Sequence, residues 1–232
     1  MKKLLAFVAA SVAAVSLATA EITVGGRGIF GMGLGTSFVS DYDDFDLVLG
    51  KSLDFGFAAF AKIPVWESLV IQPEIGYTRK TIGGKGYWKD EFGVKDDFTT
   101  KSKFSYNAID IPVLVGWDIG IGDSLTVTPL AGVKGTFVVG KAKFKEDYDN
   151  YDDYEIEDYP DSFDHKNKFL FGLVFGASAA YKLGPGALVG DVRYNLGLTN
   201  VGVKFDEPDY HKKVSIATPR DLQFSLGYQI AF

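Results

Sequence analysis

Apolar residues alternate with small or polar ones in eight stretches of this chain. Between residues 22 and 34, Ile22, Val24, Phe30, Met32 and Leu34 share one parity, and Thr23, Gly25, Arg27 and Gly31 share the other. Successive side chains of a β-strand point to opposite faces, so such a stretch has one apolar and one small or polar face. The pattern returns at 54–63, where Phe55, Phe57, Ala59, Ala61 and Ile63 oppose Gly56, Ala58, Phe60 and Lys62, and at 69–78, where Leu69, Ile71, Ile75 and Tyr77 oppose Gln72, Glu74 and Thr78. It continues at 108–117 (Ile109, Ile111, Val113, Val115 and Trp117 against Asp110, Leu114 and Gly116) and at 125–139, where Lys134 lies on the polar side. Phe169, Phe171, Leu173 and Phe175 lead a sixth stretch, and in a seventh Leu188, Val192, Tyr194 and Leu196 oppose Asp191, Arg193 and Asn195. The cleanest is the last, 221–232, where Leu222, Phe224, Leu226, Tyr228, Ile230 and Phe232 oppose Asp221, Gln223, Ser225, Gly227 and Gln229.

The connections between these stretches alternate in length. Pro64 to Ser68, Ile119 to Asp123 and Gly184 to Gly186 are short; the polar segment around Asp41 to Asp46, Gly83 to Lys101, Lys143 to Asn167 and Lys204 to Pro219 are long. Barrels of bacterial outer membranes have an even number of antiparallel strands, short periplasmic turns and long external loops. A soluble sandwich has no physical reason to sort its loops in this way. The expected fold is therefore all-β: a transmembrane antiparallel up-and-down β-barrel of eight strands. Ten strands remain open if Gly83 to Lys101 or Lys143 to Asn167 holds a further hairpin. A final amphipathic strand closing on Phe232 looks like the assembly signal of such barrels, with Tyr228, Ile230 and Phe232 as its apolar positions. Trp66 and Trp117 lie beside short turns, where an interfacial aromatic girdle is expected.

The first segment adds the route. Met1-Lys2-Lys3, the apolar run Leu4 to Leu17 and the small residues Ala18-Thr19-Ala20 have the form of a secretory signal peptide over residues 1–20. Cleavage would leave one domain, residues 21–232, in the outer membrane. The apolar run is short for a membrane helix, which needs about 20 residues. There is no cysteine, so disulfides do not hold the exported chain. The formal charge of −6, or −8 once Lys2 and Lys3 are removed, disfavours nucleic acid and anionic lipid as partners.

The polar parity carries charge of both signs: Arg27, Lys62, Glu74, Asp110, Lys134, Asp191 and Arg193. The interior of an eight-stranded barrel is just wide enough for side chains to fill it. These residues are expected to pair there as a lumen charge network, with a polar path for ions or a small solute as the sharper alternative. The stretch from Lys145 to Asp161 interleaves carboxylates with Tyr148, Tyr151, Tyr154 and Tyr159. It lacks the glycine and closing glutamate of an EF-hand loop. It is expected to be a solvated loop, with a protein partner or weak divalent binding as alternatives. His165 and His211 are expected in external loops, and Asp161, Ser162 and Asp164 lie near His165. Proximity in sequence does not make a triad. No catalytic residue, cofactor or metal site is assigned.

Several segments resemble the PorT-like outer-membrane β-barrel domain family: Leu69 to Tyr77 (LVIQPEIGY), Ala108 to Leu114 (AIDIPVL), Gly172 to Ala177 (GLVFGA) and Asp191 to Leu198 (DVRYNLGL). Their order, together with Phe232, extends the resemblance over nearly the whole mature chain. The motifs are short and generic to β-structure. They imply a single-domain barrel and identify no activity.

The expected function is that of an integral outer-membrane barrel with a structural or surface-interaction role and a closed polar lumen. Expected partners are outer-membrane lipid, the barrel assembly machinery and an extracellular protein at the acidic loop. An enzyme at the outer rim acting on lipid or peptide, a soluble calycin-like barrel with its apolar parity turned inward, and a small pore stand as alternatives.

Overall fold

The computed structural model describes residues 21–34, 38–39, 45–89, 95–148, 162–163, 167–199, 201–203, 214–216 and 220–232. Eight long strands form one closed antiparallel sheet: β1 (Thr23–Gly33), β2 (Phe45–Trp66), β3 (Leu69–Lys89), β4 (Lys95–Trp117), β5 (Leu125–Tyr148), β6 (Phe169–Leu183), β7 (Gly186–Gly197) and β8 (Arg220–Ala231). Each strand pairs with its neighbours in sequence, and β1 pairs with β8 to close the ring. Ile22 and Phe232 extend that seam with reciprocal hydrogen bonds of 3.1 and 2.9 Å. Closure leaves the ring without a sheet edge, a requirement where no water can satisfy an open edge.

The ring settles which parity faces inward. Phe57 is 65% exposed and Leu226 62%, whereas Arg27 is 6% exposed and Asp191 4%. The apolar residues of the alternating stretches point outward and the charged ones inward. A soluble calycin-like barrel needs the reverse, so that alternative is set aside. Among the described residues no helix is long and apolar enough to cross a membrane. Any crossing is made by the strands.

The rim departs from the sequence reading. The pattern predicts a polar loop over Gly83 to Lys101, but β3 runs to Lys89 and β4 starts at Lys95. Likewise β2 starts at Phe45 and β5 reaches Tyr148, inside segments that read as loops. These stretches lengthen existing strands; they do not add a hairpin that would make ten. Strand beyond the apolar layer has no lipid to demand an apolar face, so it needs no alternation, and parity cannot reveal it. At the other end, the Pro64 to Ser68 turn contracts to Glu67 and Ser68, with Glu67 at φ 42°. Ile119–Ile121 pairs with Leu125 to Val127 inside the expected turn. Gly140, at φ 74°, lies in a bulge of β5 where the register passes from Asn107–Val139 to Ser105–Lys143. Above the ring, Val201–Val203, Val214–Ile216 and Phe38–Val39 form a small separate sheet.

Candidate functional site

The inward side chains stack in layers from the short-turn end to the long-loop end. In the lowest, Lys62 Nζ lies 2.6 Å from Asp118 Oδ1 and donates to Thr128 Oγ1 at 3.1 Å. The Thr128 hydroxyl donates in turn to Asp118 Oδ1 at 2.6 Å. Phe60, Ala180, Ala187 and Val189 pack beside this layer as a buried apolar cluster.

The next layer holds four of the seven charged residues singled out by parity. Arg27 donates to Glu74 and, at 2.7 Å, to Asp191 Oδ2. Arg193 Nη1 donates to both Glu74 oxygens at 3.0 and 2.9 Å, and its Nη2 lies 3.4 Å from Asp191 Oδ2. Gln72 donates to Glu74 Oε1 and Ser225 to Asp191 Oδ2, each at 2.7 Å. The Arg27 guanidinium also sits 5.2 Å from the centre of the Phe60 ring. Each carboxylate therefore meets both guanidinium groups, the arrangement that lets buried charges persist without water.

Higher up, Asp110 accepts from the hydroxyls of Thr78 on β3 and of Thr136, its register partner on β5. Above it Lys80 Nζ lies 3.2 Å from Asp54 Oδ2 and 3.0 Å from Asp221 Oδ2, and Asn195 donates to Asp221 Oδ1 at 2.6 Å. Lys134 lines a cavity of about 20 Å³ with Lys80, Tyr106, Asn195 and Asp221. That is room for one water molecule and too little for an organic solute. The seven residues thus fall into separate layers: Arg27, Glu74, Asp191 and Arg193 meet, while Lys62, Asp110 and Lys134 each belong elsewhere.

Parity reading missed Asp54, Lys80 and Asp221 as lumen charges. Lys80 continues the series Gln72, Glu74, Thr78 by one step, so extending that count would have found it. The inner wall also differs from an all-polar one. Leu114, Leu130 and Val174 form a buried cluster on β4, β5 and β6, joined by Val138 and Leu170 as further buried residues of β5 and β6. The ion pairs of the Arg27 layer join β1, β3 and β7, and the opposite side is filled like an ordinary core.

Tyr151, Tyr154, Tyr159, His165 and His211 lie outside the described residues, as do Asp161, Asp164 and residues 1–20; Tyr148 ends β5. Trp66 and Trp117 stand exposed at the short-turn end, and Tyr228 donates to the Leu183 carbonyl at 2.7 Å.

Residues 20–202 match the family model of the outer membrane protein beta-barrel domain. The chain belongs to that family. The match does not single out the PorT-like family. Among curated proteins none matches the sequence. Solved structures similar to this barrel include the Neisserial surface protein A, at 15% identity over 91% of this chain and 97% of that one, with a TM-score of 0.43. A major outer membrane protein from Thermus thermophilus has 14% identity, coverage of 90% and 99%, and a TM-score of 0.48. Outer membrane protein AlkL, solved in lipid bilayers, has 15% identity, coverage of 92% and 90%, and a TM-score of 0.46.

As an outer-membrane barrel, the protein has its lipid-facing band on the outward parity. From Trp117 to Asn107, β4 advances ten residues (117 minus 107), or roughly 33 Å of strand. A tilt of about 40° reduces this to roughly 25 Å, the height of a lipid-facing band. Near its upper limit lie Phe57 with Tyr77 and Phe137 with Phe169, whose ring centres are 5.7 and 4.9 Å apart.

Proposed function

We propose that this barrel serves the outer membrane as a structural or surface-interaction protein and that its lumen conducts no solute. The observation that carries this reading is the Arg193–Glu74 contact, which spans the ring from β7 to β3 at 2.9 Å. With the Leu114 cluster beside it, the contact leaves no continuous path through the middle of the barrel. Binding would then fall to the long-loop end, where the interleaved Tyr148, Tyr151, Tyr154 and Tyr159 suit a protein partner. Tyrosine gives large contact area with a polar tip. The protein is read as working without a catalytic centre, metal or cofactor. Its route would be export by cleavage after Ala20, followed by recognition of Tyr228, Ile230 and Phe232 by the assembly machinery. Trp66 and Trp117 would anchor the barrel at the periplasmic interface. The resemblance of the four quoted segments supports membership of the PorT-like family.

The test combines two measurements on one preparation from the outer-membrane fraction. Folded protein should migrate differently from boiled protein on a gel, and planar bilayers should show no steady conductance. Stepwise conductance from heat-shifting material would overturn the closed lumen.

A further inference from the structure

Immediately above the lipid-facing band, one sector of the barrel's outer surface becomes cationic. Tyr77, Ile109 and Phe137 form one rung of β3, β4 and β5, with Tyr77 and Phe137 exposed on the outward face. The next outward rung is Arg79, Asn107 and Val139; then come Thr81, Ser105 and Lys143; then Gly83, Lys103 and Lys145. Rungs on one face are about 7 Å apart along the strand. Arg79, Lys103 and Lys143 are all exposed, as is Lys141 in the bulge made by Gly140. No carboxylate occupies these three rungs.

The rest of the rim differs. At comparable height on β1, β7 and β8, the outer face shows exposed Leu34 and Leu198 with the single cation Arg220. The cations are therefore concentrated on one side and do not form a ring of snorkelling side chains. Net charge misleads here. The chain carries −6 overall, yet charges separated by more than a screening length of about 10 Å scarcely act on one another. The next rung, Lys85, Lys101 and Asp147, carries two cations to one carboxylate, so the row remains cationic beside low-dielectric lipid.

We propose that Arg79, Lys103 and Lys143 form a docking strip for the phosphate group of an anionic outer-leaflet lipid, whose acyl chains lie against Tyr77, Ile109 and Phe137. The guanidinium of Arg79, closest to the band, can meet a phosphate in bidentate fashion. Lys103 and Lys143 reach down from the rungs above, with their stems along the sheet. The strip neither depends on a loop partner nor requires a closed lumen, so it stands apart from the function proposed above.

The full barrel, purified in detergent, would be offered equal amounts of phosphatidic acid and phosphatidylcholine with the same acyl chains, and retained lipid counted by native mass spectrometry. Wild type should retain phosphatidic acid preferentially. The preference should fall roughly fivefold for each cation removed in R79Q/K103Q/K143Q. A control, K182Q/R220Q, removes two exposed cations away from the strip and should keep it. The double variant K103Q/K143Q, altered only above the band, gives the same reading should the triple variant fold poorly. Equal retention of the two lipids by wild type, or equal loss of preference in the control, would overturn the strip.

Discussion

Arg193 on β7 and Glu74 on β3 belong to strands four places apart in either direction around the ring, yet Nη1 of one lies 3.0 and 2.9 Å from the two oxygens of the other. The contact spans the lumen like a strut, with Arg27 and Asp191 bracing it. Removing Glu74 leaves two buried guanidinium groups with Asp191 as their shared carboxylate. Glu74→Ala should therefore destabilise the barrel by about 3–5 kcal/mol. Equilibrium urea unfolding in phospholipid vesicles would measure it. Replacing all four charges with apolar residues of similar volume should cost much less, because no unpaired charge remains.

Gly132 and Gly26 should respond differently to one methyl group. A Cβ on Gly132 would stand 2.2 Å from the Val113 carbonyl oxygen and 2.8 Å from the Leu114 Cα, whereas on Gly26 the nearest atom is 3.8 Å away. Gly132→Ala should destabilise by about 1–3 kcal/mol, as overpacking does. Gly26→Ala should be close to neutral. The folded fraction after refolding, read from heat-modifiable mobility, would separate them.

Val113 lies four residues from Trp117 and six from Asn107, near the middle of the band on the outward face. Val113→Arg should cost about 2–4 kcal/mol, the penalty for a cation at the bilayer midplane. Asn107→Arg, at the edge of the band, should cost about 0–1 kcal/mol. Unfolding of both variants in the same vesicles would give the difference. Equal costs would mean that the band is misplaced along the barrel.

Phe232 separates assembly from stability. Its backbone pairs with Ile22 while its side chain is 75% exposed. Phe232→Ser keeps the backbone pair and should change unfolding in vesicles by no more than about 0.5 kcal/mol. In cells the same variant should accumulate severalfold less folded protein in the outer membrane. Unchanged assembly in cells would remove Phe232 from the signal.

What could be read from the chain was whatever a period of two encodes. Ile109, Ile111, Val113 and Val115 against Asp110 and Leu114 marked a strand because lipid lies on one side and a filled lumen on the other. Lys95 to Thr100 carried no such mark: beyond the apolar band, the strand is held by backbone pairing that any residue can supply. Parity also marked Arg27 and Asp191 as inward without showing that they meet. They are 164 positions apart, and their contact depends on how far each strand is staggered around the ring. Lys80 escaped notice for a simpler reason. The alternation beside it weakens at Arg79, where the outward face leaves the apolar band, so the count stopped at Thr78.

The strands of this barrel are unequal. β2 to β5 have 21 to 24 residues, while β1 and β6 to β8 have 11 to 15. Crossing the membrane takes about 9–11 residues, so β2 to β5 run on beyond the apolar band as a wall. From Arg79 to Lys89 that wall advances ten residues (89 minus 79), roughly 33 Å of strand. Arg79, Lys103 and Lys143 lie at the foot of that wall, so a lipid held there would meet protein beside its headgroup as well as beside its acyl chains.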